Sequence, residues 1–321
     1  MTSNTTSFLN GILKSALLLA FSTFMLSPQV AADDMAAEYA KKGAGTCLKC
    51  HDEQPVNLIL HTPHAQRADA NTPFAAHDCE TCHGASPEHV KEPAHKGDKH
   101  VPPKIVFGRH SKNYPVSPVA DQNAVCLTCH QSGLRMGWHA SQHEMADVPC
   151  ASCHNPHTLK DPVLVRETQP EVCFTCHVEQ RSQVHLRSHH PITDGKVVCM
   201  DCHNPHGGPG PFLLTKNTVN ETCYQCHAEK RGPMLWEHPP VREDCMNCHT
   251  PHGSTQARLL KVRTPYLCNM CHSETFHPST LRTGVGVPPN GADDRLMAKG
   301  CLNCHSQIHG SNHPSGSRFT R

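Results

Sequence analysis

The chain has 321 residues, nearly balanced side-chain charges (29 Lys and Arg against 28 Asp and Glu) and 29 histidines. Aromatic residues make up 5% and hydrophobic residues 37%, and 20 of the hydrophobic residues are cysteines. This composition excludes an ordinary core of aliphatic and aromatic side chains, so something else must fill the interior.

Residues 1–32 read as a signal peptide. Lys14 supplies a positive n-region, and the apolar stretch from Ala16 to Leu26 is too short to span a bilayer comfortably. The small residues Ala31 and Ala32 place the expected cleavage near Ala32. A retained membrane anchor is the alternative. No later segment has the roughly 18 consecutive apolar residues of a transmembrane helix, so we expect a mature protein that is water-soluble by itself and periplasmic.

The motif Cys-x-x-Cys-His occurs ten times and uses all 20 cysteines. Its two thiols can add across the two vinyl groups of a haem, and the next histidine reaches the iron from the same short turn. The sequence therefore predicts ten covalently bound haem c groups. The predicted attachment residues are Cys47, Cys50, Cys79, Cys82, Cys126, Cys129, Cys150, Cys153, Cys173, Cys176, Cys199, Cys202, Cys223, Cys226, Cys245, Cys248, Cys268, Cys271, Cys301 and Cys304. The predicted proximal iron ligands are His51, His83, His130, His154, His177, His203, His227, His249, His272 and His305.

Three other uses of cysteine explain this pattern less well. Structural disulfides suit a secreted protein but do not require a histidine after every second cysteine. Zinc sites pair two Cys-x-x-Cys elements, or one element with distant histidines, and do not need this adjacency. Thioredoxin-like redox chemistry needs one motif in an α/β fold, and the chain shows no such pattern of strands.

The motifs form pairs, which predict five two-haem units within a single haem domain of residues 33–321. The units start near residues 47, 126, 173, 223 and 268, and a period of about 45–50 residues indicates stacked modules. The first interval is longer because of residues 84–125, which we interpret as a surface loop; residues 278–300 form a second loop. With about 29 residues per haem, we expect a multihaem cytochrome c fold, mostly irregular with short α-helices, a haem-filled core and an elongated array of two-haem repeats.

A sixth ligand for each iron is predicted from histidines outside the motifs. In the first three units one histidine lies 13 residues after the first motif histidine, and in units two to four another lies three residues after the second motif histidine. The 10 methionines do not repeat in this way. His313 competes with His277, and the spacing does not decide which histidine serves which iron. The distal candidates are His64, His89, His143, His157, His190, His206, His238, His252, His277 and His309.

A full set of paired histidines favours electron transfer over catalysis, because no iron keeps an open position for substrate. The haem propionates also make the holoprotein acidic, by simple counting about −10 with ferric and about −20 with ferrous irons. We therefore expect an electron carrier without enzymatic activity and without a nucleic-acid partner.

Three stretches carry a family resemblance: residues 226–238 (CHAEKRGPMLWEH), 201–207 (DCHNPHG) and 301–316 (CLNCHSQIHGSNHPSG). They resemble the MtrA/DmsE family, the periplasmic decahaem cytochromes of outer-membrane electron conduits. The resemblance runs from about residue 44 to the C-terminus, and residues 84–125 depart from it.

The resemblance implies an outer-membrane β-barrel partner, a periplasmic or inner-membrane cytochrome as donor, and an extracellular multihaem cytochrome or reductase as acceptor. The respiration would use metal oxides or dimethyl sulfoxide. A soluble periplasmic shuttle is one alternative. A multihaem reductase of nitrite-like substrates is another, but it would need one five-coordinate haem, and all ten motifs end in histidine.

Overall fold

A computed structural model of the chain describes residues 38–91, 101–272 and 300–320. From Tyr39 onward the chain forms one compact unit. The predicted signal peptide, the candidate ligand His277 and the predicted loop 278–300, except its last residue, lie outside the described residues. The division into a signal peptide and a five-unit haem domain stays a prediction.

Helices are the regular elements of the described chain, and all are short. The longest has nine residues. The α-helices are α1 (Ala44–Cys47), α2 (Pro73–Ala76), α3 (Glu80–His83), α4 (Val119–Leu127), α5 (Gln142–Met145), α6 (Gln169–Phe174), α7 (Val178–Gln183), α8 (Cys199–Cys202), α9 (Val219–Cys223), α10 (Pro239–Glu243) and α11 (Tyr266–Asn269). The 3₁₀ helices are Val56–His61, Pro63–Ala65, Gly133–Arg135, Cys150–Ser152, Pro162–Leu164, Pro211–Leu213, Ala228–Lys230, Cys245–Asn247, Ala257–Leu259 and Cys301–Asn303.

Extended structure is limited, within residues 38–91, 101–272 and 300–320, to four isolated antiparallel bridges. No helix in these ranges is long and apolar enough to cross a membrane. The predicted fold, mostly irregular with short helices, is confirmed.

The polypeptide has little apolar core of its own. Eight described hydrophobic side chains are buried, against thirteen polar or charged ones. A domain this size with so few buried apolar side chains cannot be held by them alone, which agrees with an interior built on haem. The buried hydrophobic residues are Ala44, Phe74, Trp138, Val163, Phe174, Val184, Val198 and Leu214.

Buried amides tie the two motifs of a unit together. The Asn123 side chain on α4 accepts from the Cys150 backbone N–H at 2.8 Å and donates to the Val148 carbonyl at 3.1 Å. Asn220 on α9 does the same two repeats later, accepting from the Cys245 N–H at 2.7 Å. Because each amide is buried and satisfied on both sides, it holds the start of the second motif against the helix that leads into the first.

Successive units meet at junctions that depend on glycine. Gly207 and Gly253 each follow a distal candidate directly, and a Cβ on either would overlap a carbonyl oxygen of the preceding unit, that of Gly137 or Gln183. Gly207 also has a φ of 114°, in the region that favours glycine. The His206-Gly207 and His252-Gly253 pairs are therefore places where two backbones touch.

The predicted surface loop 84–125 has more structure than expected. Its last residues belong to α4, and Gln122 on this helix is 1% exposed. The Gln122 amide bonds to both backbone groups of Gly108, at 2.8 and 3.1 Å. The prediction missed this contact because a single buried amide leaves no periodic pattern in the sequence.

Candidate haem sites

Each Cys-x-x-Cys-His motif folds into a single helical turn. In all ten, the backbone N–H of the histidine donates to the carbonyl of the first cysteine, at 2.8–3.1 Å. This closed turn keeps two thiols and one imidazole together, which is the arrangement that covalent haem attachment with iron ligation needs.

The two motifs of a unit approach each other through their first cysteines. The hydrogen-bonded thiol pairs are Cys47–Cys79, Cys126–Cys150, Cys173–Cys199, Cys223–Cys245 and Cys268–Cys301. In the second unit this bond raises the pKa of Cys150 and lowers that of Cys126 to about 7. Thioether formation would remove the thiol proton and with it this hydrogen bond. The two sulfurs would remain neighbours, so both haems of a unit would be attached at adjacent positions.

Nine motif histidines face a distal candidate at a nearly constant distance. The two ring centres are 5.9–6.3 Å apart in every case. The pairs are His51–His89, His83–His157, His130–His64, His154–His206, His177–His143, His203–His252, His227–His190, His249–His309 and His272–His238.

This distance fits an iron atom between the rings. A metal bonded to two imidazoles sits about 2 Å from each ligating nitrogen, and each nitrogen is roughly 1.1 Å from its ring centre, so the centres are about 6.2 Å apart. Direct stacking is much closer: His77, which was not a distal candidate, stacks on Tyr39 at 3.6 Å. The nine pairs are thus spaced for a shared metal and not for ring contact.

The pairing crosses from unit to unit. At the second junction, His143 of unit two faces His177 of unit three, while His206 of unit three faces His154 of unit two. All four junctions show the same reciprocal exchange. The spacing along the chain did not contain this information.

The second motif histidine of each unit has its Nδ1 hydrogen-bonded. Four donate to backbone carbonyls, those of Ile105, Phe212, Arg258 and Arg318 at 2.6–3.1 Å. His154 instead donates to the Asp161 carboxylate at 2.8 Å. Such a bond fixes the tautomer and leaves Nε2 as the metal-binding nitrogen.

Several distal candidates are oriented in the same way, and some of these bonds connect two sites. His143 donates from Nδ1 to the Pro205 carbonyl at 2.8 Å, and His190 to the Pro251 carbonyl at 2.8 Å. Each carbonyl belongs to the residue before another distal candidate, so the distal candidates of adjacent sites hold each other in place. Sequence reasoning missed these acceptors because carbonyl groups are common to every residue.

Burial favours the neutral form of several of these imidazoles, which is the form that ligates a metal. It is the main cause that lowers the pKa of His206 to about 4, with the nearby His154 and Arg135 adding to it. Burial likewise lowers the pKa of His83, His130, His177, His238, His252 and His309.

At the tenth site, of the two predicted ligands only the motif histidine, His305, lies within the described residues. The Nδ1 of His305 donates to the Arg318 carbonyl at 2.6 Å, and the predicted partner His277 is outside the described residues. The competing residue His313 accepts at Nδ1 from the Ser315 N–H at 3.1 Å. His309, by contrast, faces His249 of the eighth motif.

Relatives of known type share these motifs. The chain is 46% identical to the multihaem cytochrome MtrA of Shewanella baltica (strain OS185) over 286 residues, which is 88% of this chain and 83% of that protein. It is 30% identical to the cytochrome c-type protein NrfB of Escherichia coli O6:H1 (strain CFT073) over 178 residues, 54% of this chain and 86% of NrfB. The NrfB of Haemophilus influenzae is 30% identical over 43% of this chain and 66% of its own length.

Two family models match parts of the chain. The doubled CXXCH motif matches residues 143–182, 189–232 and 238–277, and cytochrome c554 and c-prime matches residues 78–155. The first of these models describes the paired motifs that the spacing predicted. Together with the similarity to MtrA over most of both chains, these matches show that the chain belongs to the MtrA family of multihaem c-type cytochromes, which are electron carriers and not enzymes.

Proposed function

We propose that this protein is a decahaem wire across the outer membrane. It would take electrons from a periplasmic or inner-membrane cytochrome and pass them, inside a β-barrel partner, to an extracellular multihaem cytochrome or terminal reductase. The observation that carries the proposal is the reciprocal histidine exchange at all four junctions. It links each unit to the next without a break, as a single electron path requires.

Haem supplies the one-electron iron couple, and the residues of the chain decide how that couple can be used. The cysteines would anchor the haems, the paired histidines would ligate each iron, and the buried amides hold the first cysteines of the two motifs close together. Two imidazoles per iron would leave no position for a small molecule to bind, which suits an electron carrier. We assign the nine facing histidine pairs as iron ligands and His277 as the sixth ligand of the tenth iron.

The membrane part of the proposal is supported by the character of the backbone. A chain of short helices and loops leaves many N–H and C=O groups without regular partners, and such groups are not tolerated in lipid. A protein of this kind can cross a bilayer only within a protein sheath. We therefore infer a periplasmic location with attachment to the outer membrane through the barrel partner.

Transport through vesicles tests the conduit. Barrel-containing vesicles enclose a reduced dye, the parent protein or the Cys199→Ala/Cys202→Ala variant is incorporated, and electrons reaching an external metal oxide are counted. We expect the parent to conduct and the variant to lose most of its rate, because electron tunnelling falls steeply with distance. Mass spectrometry must first show ten haems in the parent and nine in the variant.

Three outcomes would contradict the proposal. Conduction at the parent rate with a confirmed missing haem would replace the single wire with a branched arrangement. If the protein remains equally soluble in strains with and without the barrel, it is a periplasmic shuttle. Stoichiometric binding of carbon monoxide to one haem of the reduced parent would favour a reductase.

A further inference from the structure

Two buried hydrogen-bond donors in the second unit lack an acceptor. Trp138 is 6% exposed, and neither its Nε1 nor the Nε of Arg135 has a hydrogen-bond partner among the described residues. Leaving a buried donor unpaired costs about 1–3 kcal/mol, and a charged donor costs more. The pair therefore indicates an acceptor that is not part of the polypeptide.

Both donors line one small cavity. Its volume is about 250 Å³, and its walls are Leu127, Gln131, Arg135, Met136, Trp138 and His139. Sites that enclose a whole small-molecule ligand are generally about 300–1,000 Å³. The cavity is large enough for one substituent of a larger ligand. The guanidinium of Arg135 would pair best with a carboxylate on that substituent.

The cavity borders the sites of both the third and the fourth motif, because Leu127 lies within the third motif and the contacts of its neighbour Trp138 lead to the fourth. A tight turn, with the Trp138 N–H donating to the Arg135 carbonyl at 3.0 Å, holds the two donors together. The Asn204 side chain donates to the Leu134 carbonyl at 2.9 Å and so docks this turn on the segment that carries His206. The Trp138 ring centre is 6.3 Å from that of His206, whose own partner is His154.

The indole N–H of the other tryptophan does have a hydrogen-bond acceptor. The Nε1 of Trp236 donates to the His313 carbonyl at 3.1 Å. Among the arginines, Arg181 lies 4.0 Å from Glu171, and Arg166 is paired with Asp201 at 2.9 Å. In the described chain no acidic side chain is ion-paired with Arg135; the nearby Glu144 pairs with His139.

We propose that Arg135 and Trp138 bind a propionate carboxylate of the haem held between His154 and His206. This inference rests on the ligand pairs of the proposed function. An unneutralised carboxylate near the iron stabilises the ferric state, and the guanidinium offsets its charge. Arg135 and Trp138 are thus positioning residues that raise the reduction potential of this haem.

The test compares Arg135→Gln and Trp138→Phe with the matched controls Arg181→Gln and Trp236→Phe, all as ten-haem holoproteins. Spectroelectrochemical titration follows the potentials, and redox-difference infrared spectra follow propionates labelled with ¹³C. In Arg135→Gln we expect the equilibrium constant for reduction of one haem to fall about threefold to tenfold, seen as a shift of one step in the titration. Trp138→Phe should shift the same step less, both should move one propionate band, and neither control should do so.

A ligand change identifies the haem concerned. His206→Met marks one step by raising its potential, and Arg135→Gln added to it should lower that marked step. If the shift falls on another step, the propionate belongs to a neighbouring haem and our assignment is wrong. If His206→Met marks a step but Arg135→Gln and Trp138→Phe leave all potentials and bands unchanged, the propionate site is overturned. If His206→Met marks nothing, the ligand pairing itself fails.

Discussion

The junctions inside the array and its N-terminal end differ in how a motif histidine is paired with a distal candidate. At each junction two histidine pairs cross between neighbouring units, as His143–His177 and His154–His206 do. In the first unit His89 instead faces His51 of its own unit. The comparison shows that a distal candidate can face a motif histidine either across a junction or within one unit.

Removing one histidine from each region should distinguish the effect on iron coordination from the effect on the contact between units. His206→Ala and His89→Ala should each create one five-coordinate iron, so that the reduced protein binds about one carbon monoxide where the parent binds almost none. His206→Ala also cuts a tie between units, and we expect it to cost on the order of 2 kcal/mol more in unfolding free energy than His89→Ala. His185→Ala, outside every pair, is the control. Equal stability losses would show that crossing does not hold the units together.

The other end of the array should mirror the first. If pairing within one unit occurs here too, His277 of unit five serves the iron of His305, and His277→Ala should yield one haem that binds carbon monoxide. His313→Ala should leave all ten irons six-coordinate. If His313→Ala creates the haem that binds carbon monoxide and His277→Ala does not, the last iron is ligated differently from the first.

Adding a methyl group at a junction should loosen it without touching a ligand. In Gly207→Ala the new Cβ would overlap the Gly137 carbonyl, and the backbone has a φ of 114°. We expect a loss of about 2–3 kcal/mol, measured by denaturant unfolding with Soret detection. Gly45→Ala, where the Cβ meets nothing within 4 Å, is the matched change in the end unit and should be near neutral. An unchanged midpoint for Gly207→Ala would refute close backbone contact at this junction.

The smallest effect should come from the carboxylate that accepts the hydrogen bond of the motif histidine His154. Asp161 accepts from His154 where the equivalent histidines use carbonyls. A carboxylate makes the imidazole more electron-rich and stabilises the ferric iron, so Asp161→Asn should raise one potential by about 60 mV or less, a tenfold change or smaller. Asp194→Asn, in an exposed turn, should shift none. A lowered potential would contradict this reasoning.

Local chemistry was readable from the sequence because it is carried by residues adjacent in the chain. The ten motifs each close one turn, and the repeat of histidines selected candidates of which nine face a motif histidine. The multihaem class and the electron-carrier role followed from the same pattern and are confirmed by the relatives. With so few apolar residues to pattern, the chain gave weaker signals for its helices.

Only the tertiary structure decided which histidine faces which. Paired residues lie from 34 positions apart, for His143 and His177, to 74, for His83 and His157. The carbonyls that orient them, such as that of Pro205, and the glycines that let units touch act through backbone atoms that every residue shares. Their placement depends on how the units stack, because spacing within one unit is the same whether its histidines serve that unit or the next.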